Sequence, residues 1–267
     1  MQITIATWNI NSLRLRQGLL HHLLGGLKPD IICLQETKVP DELFPEAIAE
    51  AIGFPYVLKR GMKGYNGVAT LSRFPLTLVD ETPDWCAKND CRHLAAQVSA
   101  NGALLTVHNF YVPAGGDIPD REQNPKFAHK LDFIEEARAH FAAYPPSRAV
   151  LVGDLNIAPL EHDVWSHKQL LGVVSHTPPE TAGLNAWMAQ GFEDAVRHFV
   201  PENQKLYTWW SYRNRDWAAS NRGRRLDHVW VTKDLVSGLK GYEILKEARD
   251  WEQPSDHVPV SVTLTLD

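Results

Sequence analysis

The sequence predicts an α/β protein built as a layered sandwich of sheets and helices. Apolar runs of strand length recur along the chain, and amphipathic helical patterns lie between them. Within the 267 residues there is no internal repeat, low-complexity run or flexible linker, so residues 1–267 are assigned to one domain. The composition, 44% hydrophobic and 22% charged, is that of a folded globular chain and excludes disordered and fibrous classes.

Each element of this fold has its own signal. Eight apolar runs are predicted as strands: residues 3–8, 31–34, 68–71, 94–98, 104–111, 149–152, 226–231 and 258–264. Apolar residues spaced three or four apart mark two helical faces: Leu15, Leu19, Leu23 and Leu27, then Phe127, Leu131, Ile134, Ala137 and Phe141. A third helix begins at the capping box Thr177–Glu180 and ends before Gly191.

The charge pattern restricts how the chain can bind a polyanion. A formal net charge of -5 argues against binding through a global positive field, so any contact with nucleic acid must be local. One segment is basic and aromatic: Lys205, Arg213, Arg215, Arg222, Arg224 and Arg225, interleaved with Tyr207, Trp209, Trp210, Tyr212 and Trp217. This pattern is typical of a site for a phosphate backbone and its bases, and equally of a solvated loop over a Trp-rich core edge.

Cysteine content and hydropathy indicate the compartment. The three cysteines are too few and odd in number for an exported disulfide scaffold, so we expect reduced thiols. Cys86, Cys91 and His93 resemble a fragment of a zinc site that lacks its second half. Since no membrane span or signal-peptide pattern is present, we expect a cytoplasmic protein, associated with the nucleoid in a bacterium, without membrane contacts.

Polar side chains cluster where the predicted strands begin or end. The carboxylates are Glu36, Asp154, Asp227 and Asp256, and the amides are Asn9, Asn11 and Asn156. One such residue is usually a turn former, but five strand ends with this chemistry indicate a common site. Because the set offers oxygen ligands and almost no sulfur, it favours Mg²⁺, with Mn²⁺ as a substitute.

The spacing of these residues indicates hydrolysis of a phosphate ester. Asp154 and Asn156 are two residues apart, so the amide can orient a carboxylate that activates water. Asp256 and His257 can bring an imidazole to the phosphoryl oxygens. Phosphate-binding Gly-rich loops, the GxSxG motif and kinase motifs are missing from the sequence, which leaves metal-assisted phosphodiester hydrolysis.

Seven ordered blocks of sequence carry a family resemblance. They are Trp8-Asn-Ile-Asn-Ser-Leu-Arg14, Leu34-Gln-Glu-Thr-Lys38, Gly64-Tyr-Asn-Gly-Val-Ala69, Asn109-Phe-Tyr-Val-Pro113, Gly153-Asp-Leu-Asn-Ile157, Asn221-Arg-Gly-Arg-Arg-Leu-Asp227 and Ser255-Asp-His-Val-Pro259. In order and spacing they resemble the exonuclease III family of abasic-site endonucleases. The resemblance implies a four-layer α/β sandwich, two face-to-face mixed sheets flanked by helices, as in deoxyribonuclease I.

The resemblance also implies roles for individual side chains. Glu36 matches the principal metal ligand, with Asn9, Asn11 and Asp256 beside the metal. Tyr111 matches a contact to the scissile phosphate, Asp154 and Asn156 match the group that activates water, and Asp227 matches an active-site aspartate whose role varies. Asp256 matches the residue that orients His257 against the phosphate.

A further set of residues is expected to bind substrate. Trp209 and Leu226 match the pocket for a flipped-out abasic sugar, and Arg224 stands where some relatives have Trp or Leu. Trp217 is predicted to lie near the DNA minor groove as a wedge or stacking platform. Arg14, Lys63, Arg92 and Arg222 complete the set.

The predicted function is therefore Mg²⁺-dependent cleavage of double-stranded DNA on the 5′ side of abasic sites, with trimming of 3′ ends. The expected partner is DNA with abasic sites or blocked 3′ ends, and no obligate protein partner is expected. Two alternatives stay open: a phosphatase or sphingomyelinase on the same scaffold, and a nucleic-acid-binding regulator that lost catalysis.

Overall fold

The computed structural model describes residues 1–79, 82–214 and 216–267. In these residues, twelve strands form two six-stranded sheets. The strands are β1 (Gln2–Asn9), β2 (Ile31–Gln35), β3 (Tyr56–Arg60), β4 (Val68–Ser72), β5 (Leu76–Leu78), β6 (His93–Ala100), β7 (Ala103–Tyr111), β8 (Ala149–Asp154), β9 (Phe192–Asp194), β10 (Asp227–Thr232), β11 (Leu239–Ile244) and β12 (Val260–Thr265). Their order is β11-β12-β1-β2-β4-β3 in the first sheet and β5-β6-β7-β8-β10-β9 in the second.

Both sheets are mixed. β1 pairs parallel with β2, and β7 pairs parallel with β8, whereas the other ladders are antiparallel. Alternate residues of each strand face the other sheet, so Ile3 and Ile5 of β1 meet valines such as Val150 and Val152 of β8 in one buried cluster. This apolar layer holds the two sheets face to face.

Helices cover the outer faces of the sheets. They are α1 (Leu13–Arg16), α2 (Leu19–Leu27), α3 (Glu46–Ala51), α4 (Pro125–Ala143), α5 (His167–Leu170), α6 (Pro178–Met188) and α7 (Trp217–Ser220). Helices α1 to α3 pack on the first sheet, and α4 and α6 pack on the second. The four layers confirm the predicted fold class. Among the described residues, no helix has the length and apolar character needed to cross a membrane.

All eight predicted strands are present, within two residues at each end. The four strands that the sequence did not predict, β3, β5, β9 and β11, are the four edge strands of the two sheets. Because an edge strand is half exposed, it carries no continuous apolar run. The first helical face is correct at Leu23 and Leu27, which are buried, and wrong at Leu15, which is 57% exposed. The helix is interrupted at Gly18, and the following turn buries Leu20.

The strand directions bring distant residues to one edge of the sandwich. The parallel pairs end at Asn9 and Gln35 in one sheet and at Tyr111 and Asp154 in the other. β10 runs antiparallel to β8 and begins with Asp227 opposite Asp154. β12 runs antiparallel to β1, so the segment before β12 also reaches this edge. The predicted polar side chains therefore meet here.

Candidate active site

A cleft of about 750 Å³ opens at this edge of the sandwich. Its polar side is lined by Glu36, Tyr111, Asp154, Asn156, Asp256 and His257. The facing side is apolar and basic, and it is lined by Trp165, Leu170, Val173, Val174, Trp209, Leu226, Arg213, Arg222 and Arg224. The cleft therefore combines a cluster of titratable groups with a wall that can pack against a ligand.

Asp154 lies at the end of β8 and is 1% exposed. The preceding Gly153 has φ +144°, and a Cβ there would come within 1.9 Å of the Phe110 carbonyl oxygen, so only glycine allows the close approach of β7 and β8. One carboxylate oxygen accepts from the Asn156 backbone N–H at 2.9 Å, and the other accepts from the Asn9 and Asn156 amides at 2.9 and 3.1 Å. Three donors thus fix this carboxylate and leave it capacity for one more.

Burial raises the pKa of Asp154 to about 7, although the charge on His257 acts in the opposite direction. A carboxylate with a pKa near neutrality is matched to proton transfer at physiological pH. The sequence placed Asp154 and Asn156 together, and the structure brings them into direct contact.

His257 is held by Asp227, and this corrects the expectation that Asp256 orients it. His257 Nδ1 lies 2.8 Å from Asp227 Oδ2, which also accepts from the Thr208 hydroxyl at 2.6 Å. Asp256 instead accepts from Trp209 Nε1 at 2.9 Å and from the Asn11 amide at 3.2 Å. Both carboxylate oxygens of Asp256 are thus engaged by residues other than His257.

The charge state of His257 follows from its neighbours. Burial by itself would lower the pKa of His257, but the carboxylates of Asp227 and Asp154 outweigh burial and raise this pKa to about 10. His257 Nε2 lies 3.6 Å from Asp154 Oδ2. The imidazole is therefore charged at neutral pH, and its second N–H points toward the Asp154 carboxylate.

Glu36 faces the cleft at the end of β2 with φ +51°. Its Oε1 accepts from the Asn9 amide at 2.9 Å and from the Tyr111 hydroxyl at 2.8 Å. Burial would raise the pKa of Glu36, but the charge of Lys38 and these hydrogen bonds outweigh it and lower the pKa. Glu36 is thus ionised at neutral pH.

The surroundings of Glu36 fit a hard divalent cation. The Lys38 ammonium lies 2.8 Å from Glu36 Oε2 and 2.7 Å from Asn11 Oδ1, so a positive group is already held between a carboxylate and an amide oxygen. An oxygen-only donor set of this kind is the one Mg²⁺ prefers. Asn9, which was also predicted beside the metal, offers no free oxygen here. Its amide N–H groups donate to Glu36 and Asp154, and its oxygen accepts from the Asn11 backbone N–H.

One group in the described residues has metal-ligand spacing: Asp154, Asp227 and His257. Within this group His257 Nδ1 lies 2.8 Å from Asp227 Oδ2 and Nε2 lies 3.6 Å from Asp154 Oδ2, so its members already pair with one another. Glu36 and Asn11 could also hold a cation, since the Lys38 ammonium already lies between their oxygens.

Tyr111 and Arg92 form the outer rim beside Glu36. Burial, together with the charge of Glu36, raises the pKa of Tyr111 well above its usual range, so the hydroxyl stays protonated as a donor. The Arg92 guanidinium lies 4.9 Å from the centre of the Tyr111 ring and forms an ion pair with Asp90. Arg92 is thus positioned over a residue that lines the cleft.

The facing wall is built around Arg224. Its guanidinium lies 5.3 Å from the centre of the Trp209 ring, and Nη1 donates to the Val174 carbonyl at 3.0 Å and to the Ser175 hydroxyl at 2.7 Å. Leu226 is buried beneath this stack. Arg224 therefore connects two segments of the wall, and Nη1 is engaged by the protein itself.

The basic-aromatic segment divides between core and surface. Tyr207 and Trp210 belong to the buried cluster under the first sheet, and Arg225 is 1% exposed in an ion pair with Asp194. Arg222 is exposed, lines the cleft and stacks on Trp165 with its guanidinium 4.8 Å from the ring centre. Arg215 lies outside the described residues.

The remaining predicted contacts lie at the surface. Arg14 is exposed on α1, and Lys63 is exposed in the loop between β3 and β4. Trp217 is half-buried on α7: its ring centre lies 5.1 Å from that of Trp210, and its Nε1 donates to Asp250 at 2.9 Å. These two contacts fix the position of the Trp217 ring, and its place at the DNA minor groove stays a prediction.

Sequence reasoning missed several residues of the cleft. Lys38 was visible in the block beside Glu36, and Thr208 in the aromatic segment, but no local pattern marks their hydrogen bonds. Trp165, Val174 and Ser175 carry no signal at all, because they reach the cleft only through packing of one loop against another.

Fold and site together define the class, a hydrolase built on two face-to-face sheets. The family model described as "Endonuclease/Exonuclease/phosphatase family" matches residues 6–257. Exodeoxyribonuclease III of Haemophilus influenzae is 33% identical over 263 residues, which cover 95% of this chain and 97% of that protein. The chain therefore belongs to the endonuclease/exonuclease/phosphatase family, as the resemblance predicted.

Two solved structures extend this similarity. An AP endonuclease from Archaeoglobus fulgidus matches with a TM-score of 0.90 and 31% identity, covering 99% of this chain and 100% of that one. The 3′ phosphatase NExo from Neisseria, bound to a product DNA hairpin, matches with a TM-score of 0.88 and 30% identity over 99% of this chain and 100% of that one.

Proposed function

We propose that this protein is a Mg²⁺-dependent phosphodiesterase that cuts double-stranded DNA on the 5′ side of abasic sites and trims blocked 3′ ends. One observation carries the proposal: a fixed carboxylate, Asp154, lies 3.6 Å from the charged imidazole of His257 at the base of a cleft with an apolar and basic wall. A base and a positive donor this close together can contact one phosphate group and the water that attacks it.

The relatives support this choice of substrate. One similar structure is an AP endonuclease, and another is a 3′ phosphatase with a DNA hairpin product. The wall of the cleft adds Trp209, Leu226 and Arg222, which combine ring faces and an apolar side chain with positive charge. With DNA as the substrate, the proposed location is the cytoplasm, beside the nucleoid if the cell is bacterial.

Asp154 is assigned as the general base. Its three hydrogen bonds hold the carboxylate at the end of β8, and its remaining capacity faces the cleft, where it accepts the proton of the attacking water. Asn156 keeps this orientation from two sides, through its backbone N–H and its amide. Water then attacks phosphorus in line with the departing 3′ oxygen.

His257 and Tyr111 are assigned to the phosphate. The Nε2–H of charged His257 donates to a phosphoryl oxygen as negative charge grows there, and Asp227 keeps the ring charged and correctly turned. The Tyr111 hydroxyl, which donates to Glu36 in the structure, would turn to a second phosphoryl oxygen when substrate binds. Glu36 and Asn11 would hold Mg²⁺, which when bound supplies Lewis-acid stabilisation of the phosphate and the leaving oxygen.

Incision of a duplex with one abasic analogue tests the proposal. The wild type is expected to give one Mg²⁺-dependent product, and Asp154→Asn should slow incision by about 10²- to 10⁴-fold because the proton acceptor is lost. Asp132→Asn, which changes an exposed carboxylate on α4, is the matched control and should keep the wild-type rate. If the wild type only removes terminal phosphate, the alternative phosphatase is correct. If it binds the duplex without cutting, the regulator is correct.

Replacement of Glu36 tests the cation position. Glu36→Gln should raise the Mg²⁺ concentration for half-maximal activity by about 10- to 100-fold, because a charged oxygen ligand is lost. The measurement is a Mg²⁺ titration of incision, with Glu46→Gln on α3 as the exposed control. An unchanged Mg²⁺ requirement would remove Glu36 from the cation site.

A further inference from the structure

A lysine and a glutamate form a fully buried ion pair behind the cleft. Lys130 on α4 and Glu180 on α6 both have side chains that are 0% exposed, and Lys130 Nζ lies 2.5 Å from Glu180 Oε1. Taking two charges out of water is costly unless their remaining hydrogen-bonding groups are satisfied. The other hydrogen-bond partners of Lys130 and Glu180 therefore show which segments of the chain the pair connects.

Lys130 holds two loops of the polar side. Its ammonium donates to the Asn156 carbonyl at 2.8 Å and to the Ala114 carbonyl at 3.3 Å. Asn156 orients the carboxylate of Asp154, and Ala114 lines the cleft. The next residue, Gly115, has φ +87°, and a Cβ there would come within 2.8 Å of the Lys130 side chain, so this loop closes directly over the lysine.

Glu180 holds the facing wall. Both of its carboxylate oxygens accept from the Ser175 backbone N–H at 2.9 Å, and Oε2 also accepts from the hydroxyl of Thr177 at 2.6 Å. Ser175 has φ +89°, an uncommon conformation for a residue other than glycine. The Ser175 hydroxyl accepts in turn from Arg224, so the carboxylate fixes the segment on which the wall arginine is anchored.

We propose that Lys130 and Glu180 are a positioning pair: one buried ion pair sets the distance between the Asp154–Asn156 base and the wall formed by Val174, Ser175 and Arg224. The expected effect on activity rests on the proposed function, whereas the pair itself is defined by its contacts in the structure. A shift of about 1 Å at either end would move the base relative to a bound phosphate, which costs about 10²-fold in rate.

Hydrogen exchange tests the pair without reference to activity. In Lys130→Met/Glu180→Gln the two charges are removed together, so neither is left buried and alone. We expect faster amide exchange in three separate segments at once, residues 112–117, 154–158 and 173–177. Ile134→Val is the matched control, since Ile134 lies on the same face of α4 and packs against Gly183 of α6 without touching the cleft. The control should leave these segments unchanged. Exchange in the double variant equal to that of the wild type would overturn the proposal.

Incision kinetics provide the second test. At a temperature where all variants are folded, the single-turnover rate on the abasic duplex should fall about 10- to 100-fold in Lys130→Met/Glu180→Gln, as for other groups that orient an active-site residue. Affinity for the duplex, measured with chelator, should change less than this rate. Ile134→Val should retain the wild-type rate, and equal losses in both variants would show a purely structural role.

A conservative variant covers the case in which the first one does not fold. Lys130→Gln/Glu180→Gln keeps N–H donors near the Asn156 and Ala114 carbonyls, so its rate should lie between those of the wild type and the Met variant, and below the wild type in any case. A rate equal to the wild type would contradict the positioning role. If the wild type itself makes no cut, the proposed function fails, whereas the exchange experiment still decides the role of the pair.

Discussion

The charges at the base of the cleft are buried, and they alternate in sign. Asp154 and Asp227 lie on either side of His257, with carboxylate oxygens 3.6 and 2.8 Å from its two nitrogens. An isolated charge at such depth would neutralise, and opposite charges placed side by side offset part of this cost. The two carboxylates therefore raise the pKa of His257, whereas burial raises the pKa of Asp154 against the opposing charge of His257.

Asp227 should be the main cause of the raised pKa of His257. In Asp227→Asn the negative charge at Nδ1 is lost, so the pKa of His257 should fall by about 1–3 units from its value near 10. The imidazolium would then lose its proton at lower pH, and the alkaline limit of activity should move in the same direction. An NMR titration of the imidazole in the metal-free protein measures the shift directly.

Asp256→Asn is the matched control for this experiment. Asp256 accepts from Trp209 and Asn11 and contributes least among the acids that raise the pKa of His257. The control should therefore shift this pKa less than Asp227→Asn does. A larger shift in the control would restore Asp256 as the residue that orients His257.

At the scale of elements, α4 does more than cover the second sheet. Its N-cap residue Asn124 accepts from the Lys126 backbone N–H at 3.0 Å, and its amide donates to the carbonyls of Gly115 and Ile118 at 2.8 and 2.7 Å. One turn further along, Lys130 contacts Ala114 and Asn156. The start of α4 therefore fixes the loop that forms one rim of the cleft.

Loss of the Asn124 cap should lower the free energy of unfolding more than loss of an ordinary helix cap does. Asn124→Ala removes the capping acceptor and leaves two loop carbonyls without their donor, so we expect the free energy of unfolding to fall by about 2 kcal/mol or more. Chemical denaturation measures this change. Asp216→Ala removes the exposed cap of the four-residue α7 and should lower the free energy of unfolding by about 1 kcal/mol or less. Equal losses would mean that Asn124 acts as a simple cap.

At the scale of the whole molecule, charge is distributed unevenly. The chain carries a formal net charge of -5, yet Arg213, Arg222 and Arg224 line the cleft. Arg225 is neutralised by Asp163 and Asp194 in the interior, so it adds nothing to the surface potential near a ligand. Attraction for DNA must therefore come from few side chains acting at short range.

The salt dependence of DNA binding should reflect this small number. If about three to five phosphates are neutralised, the logarithm of the association constant should fall against the logarithm of salt concentration with a slope of about -3 to -4.5. Fluorescence anisotropy of an abasic duplex with chelator present gives the slope. A slope near -10, as for strongly basic binders, would contradict a local interface.

The local patterns of the sequence predicted much of this protein. Alternating and continuous apolar runs located the eight inner strands, because most residues that face the buried side of a sheet are apolar. The edge strands β3, β5, β9 and β11 left no such mark. The polar residues at strand ends located the polar side of the cleft, since a strand end has a defined place at the edge of its sheet.

By itself, the sequence determined the layers of the fold, the family, and which carboxylates and amides gather at one edge. Only the tertiary structure decided which aspartate holds His257, how Arg224 is anchored, and that Lys130 and Glu180 join the two sides of the cleft. The reason is the range of the interactions. The apolar pattern that predicts burial and strands involves residues close together in the sequence. A hydrogen bond or ion pair between residues 30 or more positions apart depends on how whole sheets and helices pack.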